Sequence, residues 1–476
     1  MTKTIRLFLF FLFCVYAPTE LFAAVHAVSV SGSGSANGTN WSNAFAGLPG
    51  TLTRGDIYYL ADGTYSSYTF NTATSGTTVS EIRKAQSYDF GGMSGWNTAT
   101  MGSAQAIMPD INVQGSYLTI NGNGTLTVPG CGGAPAATMT TTPPPTPTDC
   151  GIAFNGSGAQ QIFINGAQSN LIVKYVEFIG TGNNGTETFI IFNGAGGGGS
   201  SLTVNHAYGH NAGCVYIQDI GNNSLVSFSY FWGTQSGSCH GQAEFEVGGT
   251  NNGVRHDNVL RDILGTAIWT FAQSGTGTAN NWQFYNNVIW HTTTSTGQAQ
   301  NGVIACINSG VQCTNFTYVQ NTVINCHYAC GILDENGNGS YTIENNLWYL
   351  NKGDGGGGSA GSPGGIPSLP GTEDHNSAIQ SGSSSIGGGT GNVVDASGPN
   401  PFVNWPNGNF NIASENSDWT NRVSLGAPYT IDVAGTTFTT DRGAYQFVSA
   451  APPTPAPAPV MFSGLLSPIS GRLTVW

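Results

Sequence analysis

Between residues 171 and 349 the chain repeats one hydrophobic pattern. A short apolar strand runs into Asn or another polar residue, a few apolar residues follow, and a Gly- or Asn-rich corner closes the unit. Copies begin at Leu171, Leu202, Leu225, Val254, Trp282, Phe316 and Tyr341, so successive starts lie 23 to 34 residues apart. Later copies read Val254-Arg-His-Asp-Asn-Val-Leu260, Trp282-Gln-Phe-Tyr-Asn-Asn-Val-Ile-Trp290 and Phe316-Thr-Tyr-Val-Gln-Asn-Thr-Val-Ile324. A unit this short cannot bury its apolar face alone. Repetition on this scale is the mark of a solenoid whose units stack.

A second set of apolar segments alternates with the first, at 189–192, 214–217, 243–247, 267–271, 303–307 and 331–333. Two interleaved ladders, corners of variable length and no helical period predict an all-β chain, a single parallel β-helix. Each strand then pairs with its equivalent one coil away. Alternation along 243–247 puts Phe245 and Val247 inward and Glu244 and Glu246 outward. Asn258, Asn287, Asn321 and Asn346 fall at equivalent strand ends, where their amides can bond to one another and satisfy a buried bend. Segments at 55–65, 79–85 and 117–121 read as first coils and a cap over the open N-terminal end. Residues 129–150 and 353–399 read as long surface loops, ahead of closing strands near Phe402, Ile431 and 444–447.

The opening Gly55-Asp-Ile-Tyr-Tyr-Leu-Ala-Asp-Gly-Thr-Tyr65, the Asn-Asn-Val-Ile repeats and the closing Asp441-Arg-Gly-Ala-Tyr-Gln-Phe447 resemble the large right-handed parallel β-helix superfamily. Its members include secreted pectate lyases, alginate and chondroitin lyases, and polygalacturonase-like hydrolases. The resemblance covers residues 25–448 and implies a right-handed, single-stranded β-helix there. These motifs mark a fold shared by proteins of differing activity, so the function they imply is an analogy.

The ends set the compartment. Lys3 and Arg6 precede an apolar run, 7–17, and Ala23, Ala24 and Ala27 offer cleavage sites, so 1–24 reads as a signal peptide. Pro18 and Glu20 interrupt that run, which disfavours a membrane anchor, and no later stretch reaches the ~18 apolar residues of a span. Residues 449–476 read as a Pro/Ala-rich linker and short tail. The expected protein is secreted or held at the cell surface, as a monomer. Without Cys14 of the leader, eight cysteines remain, an even count that fits four disulfides in an exported chain. Cys131–Cys150 would staple one loop, and Cys306–Cys313 and Cys326–Cys330 would close local ones. Cys214 and Cys239 are left to bridge neighbouring coils.

Charge is scarce: Asp, Glu, Lys and Arg make up 8% of the chain against the usual ~25%, and the net charge is −13. No basic stripe exists to offset phosphates, which argues against nucleic acid. A surface of Gly, Asn, Ser, Thr and aromatic residues suits a polysaccharide or cell-surface glycan.

The densest polar cluster is Cys239-His-Gly-Gln-Ala-Glu-Phe-Glu246, followed one coil on by Arg255-His-Asp257 and by Arg261. Glu244 and Glu246 share one strand face, at a spacing suited to acid/base work on a glycosidic bond or, with Asp257, to holding one Ca²⁺. His240 would approach from the corner before the strand. Outward Tyr216, Glu246 and Trp269 would stack in register as a short cleft with an aromatic wall, and His256 would add a substrate contact. Other histidines, His206, His210, His291 and His327, are weaker candidates. By the resemblance, an elimination would use Arg255 as base and Arg261 to neutralise a uronate. The Asp-Asp pair of the related hydrolases is absent. The lead expectation is therefore a polysaccharide lyase or glycoside hydrolase, and the rival a non-catalytic adhesive or carbohydrate-binding β-helix.

Overall fold

The structure, a computed structural model, describes residues 23–448 apart from 88–92, 126–129, 132–148, 183–186, 194–199, 219–220, 235–240, 273–276, 293–301, 308–309, 327–330, 352–370, 382–388 and positions 157, 159, 248, 266 and 336. It is the parallel β-helix expected, built from three parallel sheets of 13, 12 and 9 strands among the described residues. Helix is confined there to a few short turns, such as Trp41–Asn43 and Thr98–Met101. The proposed leader and the Pro/Ala-rich tail lie almost wholly outside the described residues.

Hydrophobic pattern shows two ladders where the chain has three, because one bend is invisible to hydropathy. Tyr175, His206, Phe228, Asp257, Asn286, Gln320, Asn345 and His375 all take left-handed backbone angles, with φ between 48° and 57°. One such residue turns the chain from the first sheet to the second without breaking the apolar run. Thus Gln283–Tyr285 belongs to the first sheet, Asn286 is the bend, and Val288–Trp290 belongs to the second. Non-glycine residues adopt this conformation at a cost of roughly 1–2 kcal/mol, and Asn and Asp do so most readily.

The residue after the bend carries the expected ladder. Asn258 Nδ2 donates to Asn287 Oδ1 at 3.0 Å, Asn287 Nδ2 to Asn321 Oδ1 at 3.0 Å, and Asn321 Nδ2 to Asn346 Oδ1 at 3.2 Å. Each amide also bonds main-chain carbonyls; Asn287 takes Arg255 O at 2.9 Å. All four side chains are buried. The series runs one coil further, to Asn376, which accepts from Asn346 at 3.0 Å. That coil corrects the reading of 353–399 as a loop, since Gly371–Asp374, Ser377–Ile379 and Val393–Asp395 are strands.

The interior is a continuous stack of Val, Ile, Leu and Phe. A C-terminal strap, 421–447, meets the bend at Asn345 through Val423, the first sheet at Gln283 through Tyr429 and the second sheet at Thr322 through Ala444. Its motif around Asp441 docks rather than pairs as a strand. Gly443 (φ +89°) lies so close that an added Cβ would sit 2.6 Å from Thr322 Oγ1, so only glycine fits. Buried Arg442 donates to Asn376 O, Ser377 Oγ and Gly391 O at 2.8–2.9 Å, fastening the strap to the last coils. Cys131–Cys150 and Cys306–Cys313 are disulfides as expected, and Cys214 and Cys326 are also disulfide-bonded.

If the buried amides hold the coils in register, Asn287→Leu should lower unfolding stability by roughly 2–4 kcal/mol, since each orphaned buried partner costs about 1–3 kcal/mol. Asn281→Gly, at an exposed rung with the same left-handed backbone, should be near neutral. Urea unfolding of the two variants checks this; equal midpoints would contradict it.

Candidate functional site

The sequence cluster around Glu244 is not a surface site. Glu244 and Glu246 point into the solenoid, 2% and 1% exposed, while Phe245 is turned out and partly exposed. Register explains the reversal. Glu244 stands in one inward column with Ile217, Trp269 and Ile304. Arg255, likewise inward, stands in the column of Val226, Phe284 and Tyr318. The two meet across the interior. Arg255 Nε reaches the Glu244 carboxylate at 2.6 and 2.8 Å, and its other nitrogens donate to Ser224 O, Ser224 Oγ and Val254 O at 2.9–3.2 Å. Its guanidinium lies 4.7 Å above the Trp282 ring, and Glu246 is 4.0 Å away. Burial pushes the Glu244 carboxyl up, and Arg255 pulls it back. Period-2 alternation was right; its phase was not, because the rule of charge outside assumed no charged partner from the next sheet.

The remaining expectations for that cluster fall with it. Tyr216 and Trp269 are core residues, 0% and 1% exposed, not a cleft wall. Trp269 stands in register with Glu244 rather than Glu246. Arg255 is committed to its partner and is no free base. Arg261 lies on the outer face of the second sheet, between the rings of Trp232 and Trp290 at 5.0 and 4.7 Å and bonded to Asp262. Asp257 sits at the outer bend, so it shares no Ca²⁺ site with Glu244 and Glu246. Among the described residues no group of three or more His, Cys, Asp or Glu could hold a metal ion. His240 and His327 lie outside the described residues.

A different set converges on the bend under the strap. There a cavity of about 490 Å³ is lined by Phe228, His256, Asp257, Tyr285 and Asn286 of the solenoid and by strap residues from Pro428 to Gly435. His256 Nδ1 is 2.6 Å from Asp257 Oδ2. Its Nε2 makes no hydrogen bond and is open. The imidazole lies flat on the Tyr285 ring, centroids 4.8 Å apart and planes 2° apart. Asn286 Nδ2 bridges Asp257 Oδ1 at 3.1 Å and Ile431 O of the strap at 2.7 Å. From the strap, Asp432 accepts main-chain N–H bonds from Ala434, Thr436 and Gln446. Burial raises the Asp432 carboxyl, those bonds oppose the shift, and the charge of Asp257 adds to it.

His256 and Asp257 were thus both singled out by sequence, though as separate contacts. Tyr285, Asn286 and Asp432 were not. Two of them lay inside the repeat that hydropathy reads as strand. Asp432 follows Ile431, which bonds Asn286 from 145 residues away, a proximity no local pattern encodes. The rings continue away from the cavity along the same bend: Phe228 stacks on His206 at 5.1 Å, and His206 on Tyr175 at 4.8 Å. These rings cover one another's faces, leaving mainly their edges to a ligand.

No protein-family description and no curated protein sequence matches the chain. Among solved structures, the pectate lyase Pel9A is similar with a TM-score of 0.50 and 12% identity, over 89% of this chain and 96% of that one. A mannuronic acid specific polysaccharide family 6 lyase from human gut microbiota aligns over 78% of this chain and 82% of its own, at 12% identity and a TM-score of 0.35. The chain has the parallel β-helix fold. At such identity the likeness speaks for architecture alone.

Two outcomes test this placement. Arg255→Met should cost about 3–5 kcal/mol, because it leaves Glu244 buried and unpaired, and Glu244→Leu added to it should restore most of the loss. A surface pair would move stability by no more than about 1 kcal/mol, with no such rescue. His206 is also buried, which pulls its pKa from 6.5 down to about 4. Its depressed value means stability is full above pH 6.5 and is lost as pH falls towards 4. His206→Phe keeps the ring stack and removes the proton, so its thermal midpoint should fall less than wild type between pH 7 and pH 4. Parallel pH curves for the two proteins would contradict the assignment.

Proposed function

We propose that the protein is a secreted or cell-surface carbohydrate-active enzyme that cleaves a polysaccharide at the cavity under the strap, by hydrolysis. One observation carries this reading: an imidazole held by a carboxylate, with its other nitrogen free, opens on a glycan-sized cavity that holds a second carboxylate with a raised pKa. Asp257 holds Nδ1 and so fixes the orientation of His256, leaving Nε2 to accept a proton from an attacking water. Asp432, raised by burial, is suited to meeting the substrate as a carboxylate, then taking up a proton and passing it to the leaving oxygen. Tyr285 backs the imidazole and limits its rotation. Elimination is disfavoured because, among the described residues, the lining contains no Lys or Arg to neutralise a uronate carboxylate. The similar lyases therefore support the fold and the polymeric substrate better than they support the reaction.

The second reading is a glycan-binding β-helix without turnover. It is favoured by the sealing of the densest charge cluster inside the core.

Screening the mature protein against neutral, amino and uronic polysaccharides separates these. Hydrolysis produces new reducing ends and no unsaturated product, and His256→Gln should lower the rate by about 10²–10⁴-fold. Unsaturated product, or activity unchanged in His256→Gln, would remove this mechanism. Saturable binding with no cleavage would select the second reading.

A further inference from the structure

The charge of the cavity says which glycan it takes. Two carboxylates line it, Asp257 and Asp432, 7% and 4% exposed, and no Lys or Arg accompanies them. Among the described residues of the lining His256 is the single basic group, and its Nδ1 is already held by Asp257. A third acceptor adds to these: Asn286, 2% exposed, lines the same cavity, and its Oδ1 accepts no hydrogen bond while its Nδ2 holds Asp257 and the strap. Beyond them the chain carries a net charge of −13, which draws cations towards the cavity. Acceptors without a fixed positive charge are the complement of a protonated amine. From this we infer that the cavity selects a glycan bearing free amino groups, an amino sugar polymer in its non-acetylated form. Carboxylates held inside a cavity repel uronate, so the substrate class differs from the mannuronic acid named for the structurally similar family 6 lyase.

This inference rests on the reading of the cavity as a glycan site, and the test keeps the two apart. Titration calorimetry at about pH 6 and low salt would compare a β-1,4-linked glucosamine tetramer, its fully N-acetylated counterpart and a galacturonate tetramer. The amine should bind about ten-fold or more tightly than the acetylated form, with the uronate weakest. Its advantage should shrink as NaCl is raised, since the attraction between a polycationic ligand and a chain of net charge −13 acts through solvent and is screened there. Asp257→Asn and Asp432→Asn should each bring the amine towards the acetylated affinity. Asp432 also caps a turn of the strap, so the salt titration on wild-type protein serves as the arm independent of that variant's folding. Equal affinities for amine and acetylated tetramers, or an advantage insensitive to salt, would overturn the amine preference and leave the glycan site standing. Tightest binding of the uronate would also overturn it. Failure of all three ligands to bind would remove both readings.

Discussion

Each coil must turn sharply from the first sheet to the second while burying its backbone, and the rest of the molecule depends on how it does so. A single residue in the left-handed conformation makes the bend, and the buried Asn that follows bonds to its equivalent on the next coil. Bend and ladder together fix the vertical register of all the coils they join. They also decide what the bend presents outward. The residue before the bend faces out from the first sheet, which is how His256 and Tyr285 come to lie ring on ring. The bend residues themselves, Asp257 and Asn286, form the polar wall beside them. The strap then closes the space through Asn286 and Ile431, so the candidate site is a by-product of the turn the solenoid needs at every coil.

The same register places charge where a surface-minded reading does not. Arg255 and Glu244 come from different sheets and meet in an interior built mainly of aliphatic and aromatic side chains. Burying two ions costs several kcal/mol each, and is tolerated only when they pair closely and their remaining hydrogen-bonding capacity is met. That condition is met here: Arg255 has the Glu244 carboxylate, two main-chain carbonyls, a serine hydroxyl and the Trp282 face. Such a pair adds little net stability over an apolar one, but it penalises any slip of these coils that would separate the charges.

Fold was legible in the sequence because stacking imposes repetition, and repetition survives in hydropathy and in the Asn series. What the sequence concealed were features with no periodic signature. The third sheet was hidden because a one-residue bend such as Asn286 leaves the apolar run intact. The inward phase of 244–247 was hidden because alternation gives two equal solutions, and only the partner Arg255, from another coil, decides between them. Half of the candidate site, His256 and Asp257, stood out as polar residues in an apolar repeat. Its other half, Asp432 with the strap, arrives from the far end of the chain, where nothing in the local sequence announces which coil it will cover.

Mapping histidine modification by diethylpyrocarbonate with mass spectrometry, with and without an oligosaccharide that binds, tests the central claim most directly. The account predicts that His256 reacts quickly through its open Nε2 and is protected by the ligand, while buried His206 and His291 stay inert in both conditions. An unreactive His256, or protection confined to histidines elsewhere, would show that the bend under the strap is not where this protein meets its ligand.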